Sequence, residues 1–235
     1  LNTHYTYFLI LTVSIAGPLA LSFDKKVAFH KKWKYLFPAM ILPAIFYIIW
    51  DSCFTSWGVW SFNENYITGI YYFGLPIEEI LFFFVVPYCC VFIYECIRCY
   101  FPLLKNAGWA DLILKITGIA ALIMALFFRD KSYTQYTFTF LSAFILLFFL
   151  LRKYFREFNT FLFLVAYAII LLPFLIVNGF LTAIPVVLYN DAENLGIRIY
   201  TIPFEDVFYG MLLVFLNIVI FEKLRAEKTN LNSNP

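Results

Sequence analysis

The residues most able to do chemistry in this chain are four carboxylates in two pairs. One pair stands in GLPIEEILFF, residues 74–83, and the other in TIPFEDVFYG, residues 201–210. Each pair follows a proline by two positions: Pro76 before Glu78 and Glu79, Pro203 before Glu205 and Asp206. Each opens an apolar run. A proline at a helix start with acids in the first turn is an ordinary helix beginning, because the ring pre-sets φ and the acids meet the positive end of the macrodipole. A second reading rests on direction. Adjacent helical residues point about 100° apart, so one acid of each pair can face a helix bundle while its neighbour faces water or a loop. An ionised acid costs up to about 3 kcal/mol at the centre of a hydrocarbon layer and less near its edge. A carboxylic acid held neutral in an apolar pocket is a proton donor. Two such pairs supply both an acid and a receiving base.

Aromatic residues surround these acids. They make up 22% of the chain, and Trp50, Trp57, Trp60, Phe62, Tyr66, Tyr71, Tyr72 and Phe73 gather more densely than interfacial anchoring requires. Ring faces near a carboxylic acid stabilise a carbocation by about 0.5–2 kcal/mol each. Asp51 and Asn178 close the apolar runs that precede the two acid pairs, as interfacial caps or as hydrogen-bond partners of the carboxyls. Glu95 stands near Arg98 and reads as an ion-paired or snorkelling acid.

The elements that position these groups must lie in a membrane. The chain is 63% hydrophobic and 14% charged, with a mean hydropathy of +0.82. A soluble domain carries about a quarter charged residues. Runs of the roughly 20 residues needed to cross a bilayer fall at 5–22, 35–51, 78–97, 110–128, 134–151, 159–183 and 205–221. The first run has no basic segment before it, so it is expected to be a span and not a cleavable signal. Alternate loops and the tail hold thirteen basic residues, Lys25 to Lys228, against three on the other side, Arg129, Lys131 and Arg198. By the positive-inside rule the N-terminus lies outside and the C-terminus in the cytoplasm.

Sliding the chain along itself without gaps, until Glu78 falls on Glu205, reveals an internal repeat. In that register Thr55, Val59, Asn63, Gly69, Ile70 and Pro76 fall on Thr182, Val186, Asn190, Gly196, Ile197 and Pro203; Glu79 falls on Asp206, and Asp51 on Asn178. The expected fold is therefore an all-α integral membrane protein of seven transmembrane helices, in which spans 1–3 repeat as spans 5–7 in parallel and span 4 joins them. The units are 1–109, a linking helix over 110–133, a second repeat over 134–223, and a polar cytoplasmic tail over 224–235.

Other chemistries lack their residues. There is no Gly-rich nucleotide loop. His4 and His30 are far apart, Cys96 and Cys99 form a single CxxC, and no metal site is expected. The basic residues form no nucleic-acid patch. The last run, 205–221, contains no lysine for a retinal Schiff base.

The segments SFDKKVAF, FYIIWDSCFT, GVWSFNENYITGIYYFGLPIEEILFFFVVPYCCVFIYE, IVNGFLT and IPFEDVFYG resemble the membrane-embedded lycopene cyclases, which occur as pairs of small three-span proteins and as fused forms. The resemblance covers nearly the whole chain and implies the fused form. It implies ring closure of the open ψ-ends of lycopene, most often to β-rings, giving β-carotene by way of γ-carotene. The family's acidic motif falls on Pro76, Glu78 and Glu79, and on Pro203, Glu205 and Asp206. Glu78 or Glu205, the acids identical between the halves, is the expected proton donor, with Glu79 and Asp206 holding, relaying or receiving the proton. Trp50, Asp51, Trp57, Trp60, Phe62 and Asn178 are the expected substrate-binding residues. No cofactor is evident. The expected partners are the polyene, the lipid of the cell membrane and other enzymes of carotenoid synthesis. An end-group hydratase would share the protonation but capture the cation with water. A small proton-coupled transporter would line a path with the same acids, but both pairs lie near one face, and the span centres hold few polar groups.

Overall fold

The structure, a computed structural model, describes residues 3–233, with side chains through residue 227. Seven α-helices carry the described chain: α1 Thr6–Leu21, α2 Trp33–Ser56, α3 Ile77–Tyr100, α4 Gly108–Phe127, α5 Ser132–Leu150, α6 Thr160–Ala183 and α7 Glu205–Ser233. Six are long and apolar enough to cross a membrane. The exception is α1, whose 16 residues reach about 24 Å at 1.5 Å per residue, short of a hydrocarbon core of about 30 Å.

Two boundaries differ from the expected spans in ways that matter. Residues 224–233, expected as a polar tail, continue α7 as helix to Ser233; the stretch from Glu222 to Lys228 is made of good helix formers. The tail's last two residues lie outside the described chain. Helices α2 and α6 run on to Ser56 and Ala183. Asp51 and Asn178 therefore sit inside their helices, more than a turn from the ends, and are not caps.

Between α2 and α3, and again between α6 and α7, the chain forms short strands: β1 Trp60–Phe62, β2 Tyr71–Tyr72 and β3 Leu75–Pro76, then β4 Val187–Tyr189, β5 Arg198–Ile199 and β6 Ile202–Pro203. Strands β2 and β3 make one hairpin, β5 and β6 the other. Phe73 and Tyr200, equivalent in the repeat register, both adopt the left-handed conformation at the hairpin tips, at φ 55° and 59°. Strands β1 and β4 pair with each other, antiparallel, with Trp60 opposite Tyr189, Ser61 opposite Leu188 and Phe62 opposite Val187. Ser61 and Leu188 are themselves repeat equivalents, so each strand pairs with its own counterpart about its own midpoint. The flanking bonds match: Asn63 N donates to Val186 O and Asn190 N to Val59 O, both at 2.9 Å. A segment that pairs with its own equivalent in this way lies on a two-fold axis. The repeat is thus a pseudo-two-fold pair with its axis passing between β1 and β4.

Helix packing follows that axis. Helix α2 packs on α7, and α6 on α3, so each half contributes a helix to the other. Helix α1 lies on α3 and α5 on α7. The linking helix α4 lies chiefly against α5. There Gly118 permits close approach: a Cβ on it would stand 2.8 Å from Ile145 Cγ2, a small-residue contact of the kind that holds apolar helices together. The core is aromatic and aliphatic, and many large apolar side chains on the outer helix faces are exposed, as a lipid-facing surface requires.

Candidate active site

The first turns of α3 and α7 rise together beneath the β1–β4 ribbon, and a cavity of about 40 Å³ lies between them. Its floor and sides come from both halves: Tyr7 of α1, Asp51 of α2, Glu79 and Phe82 of α3, Tyr133 of α5, Phe174 and Asn178 of α6, Asp206 and Tyr209 of α7. Its roof is Trp60 and Phe62 of β1 with Val187 and Tyr189 of β4.

The two acids of each pair divide as the helical angle demands. Glu79 and Asp206 face the cavity. Glu78 and Glu205 turn away from it toward their loops. Glu78 Oε1 accepts from Thr68 N at 2.7 Å, and Glu205 Oε1 accepts from Leu195 N at 2.8 Å. Thr68 falls on Leu195 in the repeat register, so the contact is a repeated one. Thr134 Oγ1 adds a bond to Glu205 Oε1 at 2.6 Å. The second oxygens of Glu78 and Glu205 are buried without a partner among the described residues. The expectation that Glu78 or Glu205 donates the proton therefore meets a geometric obstacle: neither lines the cavity, and each spends an oxygen holding a loop.

The inward acids are held by hydroxyl and amide donors. Tyr7 donates its hydroxyl to Glu79 Oε2 at 2.7 Å. Asp51 Oδ1 accepts from Tyr209 at 2.6 Å, and its carboxyl lies within hydrogen-bonding reach of Glu79. Asp206 is the most heavily bonded. It accepts from Tyr133 at 2.5 Å, from Tyr189 at 3.1 Å and from Asn178 Nδ2 at 3.2 Å. Burial, with the Asp206 carboxylate beside it, pushes the Tyr189 phenol in the loop well above its usual range, so it remains a donor. Among the described residues none of Asp51, Glu78, Glu79, Glu205 and Asp206 forms an ion pair with a cation. Arg198, in the hairpin just before α7, pairs with Asp191 and bonds to Thr201 O.

Of the six residues expected to bind substrate, Asp51, Trp60, Phe62 and Asn178 line the cavity. Trp50 stands behind it, buried, with ring centroids 5.0 Å from Tyr209 and 4.7 Å from Phe140. Trp57 is 56% exposed and packs on Phe54 and Tyr136. Pro76 and Pro203 each close a hairpin just before the acid helix, Pro76 opposite Tyr71 and Pro203 opposite Arg198. Pro76 is the cap residue of α3, not its first helical residue. The tyrosines were not expected from the sequence. Their type among 17 tyrosines gives no signal. Tyr7 and Tyr133 are not even equivalent in the repeat register, which places Tyr7 on Thr134.

A second set of acids lies at the other ends of the same two helices. Glu95 of α3 and Glu222 of α7 are equivalent, as are Arg98 and Arg225. Arg98 reaches Glu95 at 2.5 Å and Glu222 at 3.0 Å; Arg225 reaches Glu222 at 2.7 Å and Glu95 at 3.3 Å. Lys32 adds a contact to Glu95 at 2.5 Å. The ion-paired reading of Glu95 holds, and its partners span both halves.

A model of the lycopene cyclase family matches residues 4–97 and 130–224, one stretch in each half. Comparisons with curated proteins and with solved structures give no match.

Proposed function

The chain belongs to the lycopene cyclase family, whose members cyclise carotenoids, and from that premise we propose that it closes the ψ-ends of lycopene to β-rings by proton transfer within the cavity under the β1–β4 ribbon. One observation carries the reading. Two carboxyls from equivalent positions, Glu79 and Asp206, converge on one aromatic-walled cavity, and among the described residues neither forms an ion pair.

The reaction divides between these acids. Glu79, with the Asp51 carboxyl against it, is the arrangement in which a pair of acids holds a proton between them. It delivers that proton to C2 of the terminal C1–C2 double bond. The cation formed at C1 is attacked by the C5–C6 double bond, and the ring closes. Asp206, with three donors around it, suits the opposite part: it takes the proton from C6, and the double bond of the β-ring remains. Hydrogen bonds of this kind favour a carboxylate as acceptor. Tyr7 orients the donor; Tyr133, Tyr189 and Asn178 orient the acceptor. The faces of Trp60, Phe62, Phe82 and Phe174 surround the cation and exclude the water that would trap it as an alcohol. One proton enters and one leaves, and no oxidation state changes, so the step balances without a cofactor. Glu78 and Glu205 are positioning residues that hold the loops at Thr68 and Leu195 over the site.

The same reading extends to the membrane. We place seven spans in the cell membrane, α1 among them, with the acid cavity near the outer face and the Glu95–Arg225 cluster near the cytoplasm. The basic residues of the first, third and fifth connections support that orientation, and the two-fold axis gives both halves the same direction, whichever face is outside.

Pigment analysis of a lycopene-accumulating host that expresses this chain tests the proposal. Cyclised carotenoid of unchanged mass is the expected product. A product heavier by one water would make the chain a hydratase, and unchanged lycopene with abundant folded protein would overturn the cyclase reading.

A further inference from the structure

The acid cavity has room for about three water molecules and none for a polyene end. A larger space adjoins it. Between α1, α3 and α6 runs a groove of about 520 Å³, lined almost wholly by apolar side chains. It follows α1 from Thr6 to Pro18, about 18 Å of helix. It opens between exposed residues such as Val13 and Phe180. Two residues, Phe174 and Asn178, line both the groove and the acid cavity. The groove therefore ends at the acids, with Phe174 as the partition.

The pseudo-two-fold axis predicts a twin groove between α5, α7 and α2, and that one is filled. In the repeat register the groove positions Leu9, Val13, Pro173, Val177 and Ile184 have Tyr136, Phe140, Phe46, Trp50 and Trp57 as counterparts. Those rings pack on each other across α2 and α5, with centroids 5.1 Å apart for Phe46 and Phe140, 4.7 Å for Trp50 and Phe140, and 5.7 Å for Trp57 and Tyr136. The partition differs too. The counterpart of Phe174 is Tyr47, which is tied to α7 by a hydrogen bond from its hydroxyl to Tyr209 O at 2.9 Å. Phe174 has no hydroxyl to tie. The tip of its ring rests against the backbone of α7 at Gly210, where a Cβ would stand 2.6 Å from Cζ. A duplicated protein has thus kept one groove open with an untethered ring at its end, and closed the other with a tethered one.

We propose that the open groove between α1, α3 and α6 is the seat of the polyene chain, and that Phe174 swings aside to admit the end group to the acid cavity. The proposal rests on the cyclase reading and names where its substrate lies. The occupant is a long apolar chain because the lining is apolar and continuous with the acids, and because a path open to lipid suits a substrate dissolved in lipid.

Filling the groove with its twin's side chains tests this. In lycopene-accumulating cells, Val177→Trp and Val13→Phe are expected to lower cyclised product about tenfold or more at equal protein. Leu122→Phe on the outer face of α4 is expected to change nothing. A second measurement needs no bulky substitution. Cys89 and the more deeply buried Cys90 line the groove, while Cys53, Cys96 and Cys99 do not. In Glu79→Gln protein, which leaves the substrate unconverted, bound lycopene is expected to slow N-ethylmaleimide labelling of Cys89 about tenfold and to leave Cys96 unaffected. Wild-type protein that cyclises lycopene, with groove-filled variants that cyclise equally well or Cys89 left unprotected, would overturn the groove and spare the cyclase. Wild-type protein that forms no ring would overturn the cyclase, and the labelling of Cys89 would still judge the groove.

Discussion

Helices α3 and α7 carry buried acids at both ends, and the two ends are built in opposite ways. At the Glu95 end every carboxylate meets guanidinium, and Arg98 and Arg225 each bridge Glu95 and Glu222. At the Glu79 end the partners among the described residues are phenols, an amide and another carboxyl, with no cation. A buried acid bridged by arginines from two helices holds those helices together. A buried acid among neutral donors can take up or give up a proton. The same helices, related by the same axis, thus carry an arginine clasp at one end and, at the other, the acids that we propose transfer protons. The partners, and not the acids, make the difference.

The contrast predicts that damage at the two ends will differ in kind. The largest effect is expected from Glu79→Gln or Asp206→Asn, which remove a proton carrier: cyclised product should fall by about 10² to 10⁴-fold, with thermal unfolding in detergent little changed. Glu95→Gln should do the reverse. It removes the buried carboxylate that three partly exposed cations, Lys32, Arg98 and Arg225, share, and solvent at those cations brings the cost below the roughly 3–5 kcal/mol of a fully buried pair. Unfolding should shift markedly, while product per folded molecule stays near wild type. A rate loss at Glu95 equal to that at Glu79 would erase the distinction between the ends.

Smaller changes sharpen it. Tyr133→Phe removes one donor from Asp206, a hydrogen bond to a charged group worth about 1.5–3 kcal/mol, so turnover should drop roughly ten- to a hundredfold in a purified assay. The smallest effect is expected from Glu205→Gln. The amide oxygen still accepts from Leu195 N, so activity should stay within about threefold of wild type, less than about 1 kcal/mol.

Much of this was legible in the chain. Apolar run length located all seven helices, and the repeat register paired Glu79 with Asp206 and Asp51 with Asn178. The same register superposes Glu95 on Glu222 and Arg98 on Arg225, but their closure into one cluster depends on packing between the halves. Choosing the inward acid was beyond the sequence, because Glu78 and Glu79 are both compatible with a helix start and only the path of the loop decides which one it captures. Identity between the halves favoured Glu78 or Glu205 as donor; the structure accounts for that identity by the matching loop amides at Thr68 and Leu195. The tyrosine donors come from distant helices and carry no local pattern. Asp51 and Asn178 read as helix ends because polarity stops an apolar run, whereas their helices continue to serve the cavity.

Side-by-side expression of Glu78→Gln and Glu79→Gln in lycopene-accumulating cells, with cyclised carotenoid measured per amount of folded protein, tests the central assignment most directly. Near-normal product from Glu78→Gln and almost none from Glu79→Gln is the expected result. The opposite pattern, with Glu79→Gln active and Glu78→Gln silent, would contradict it.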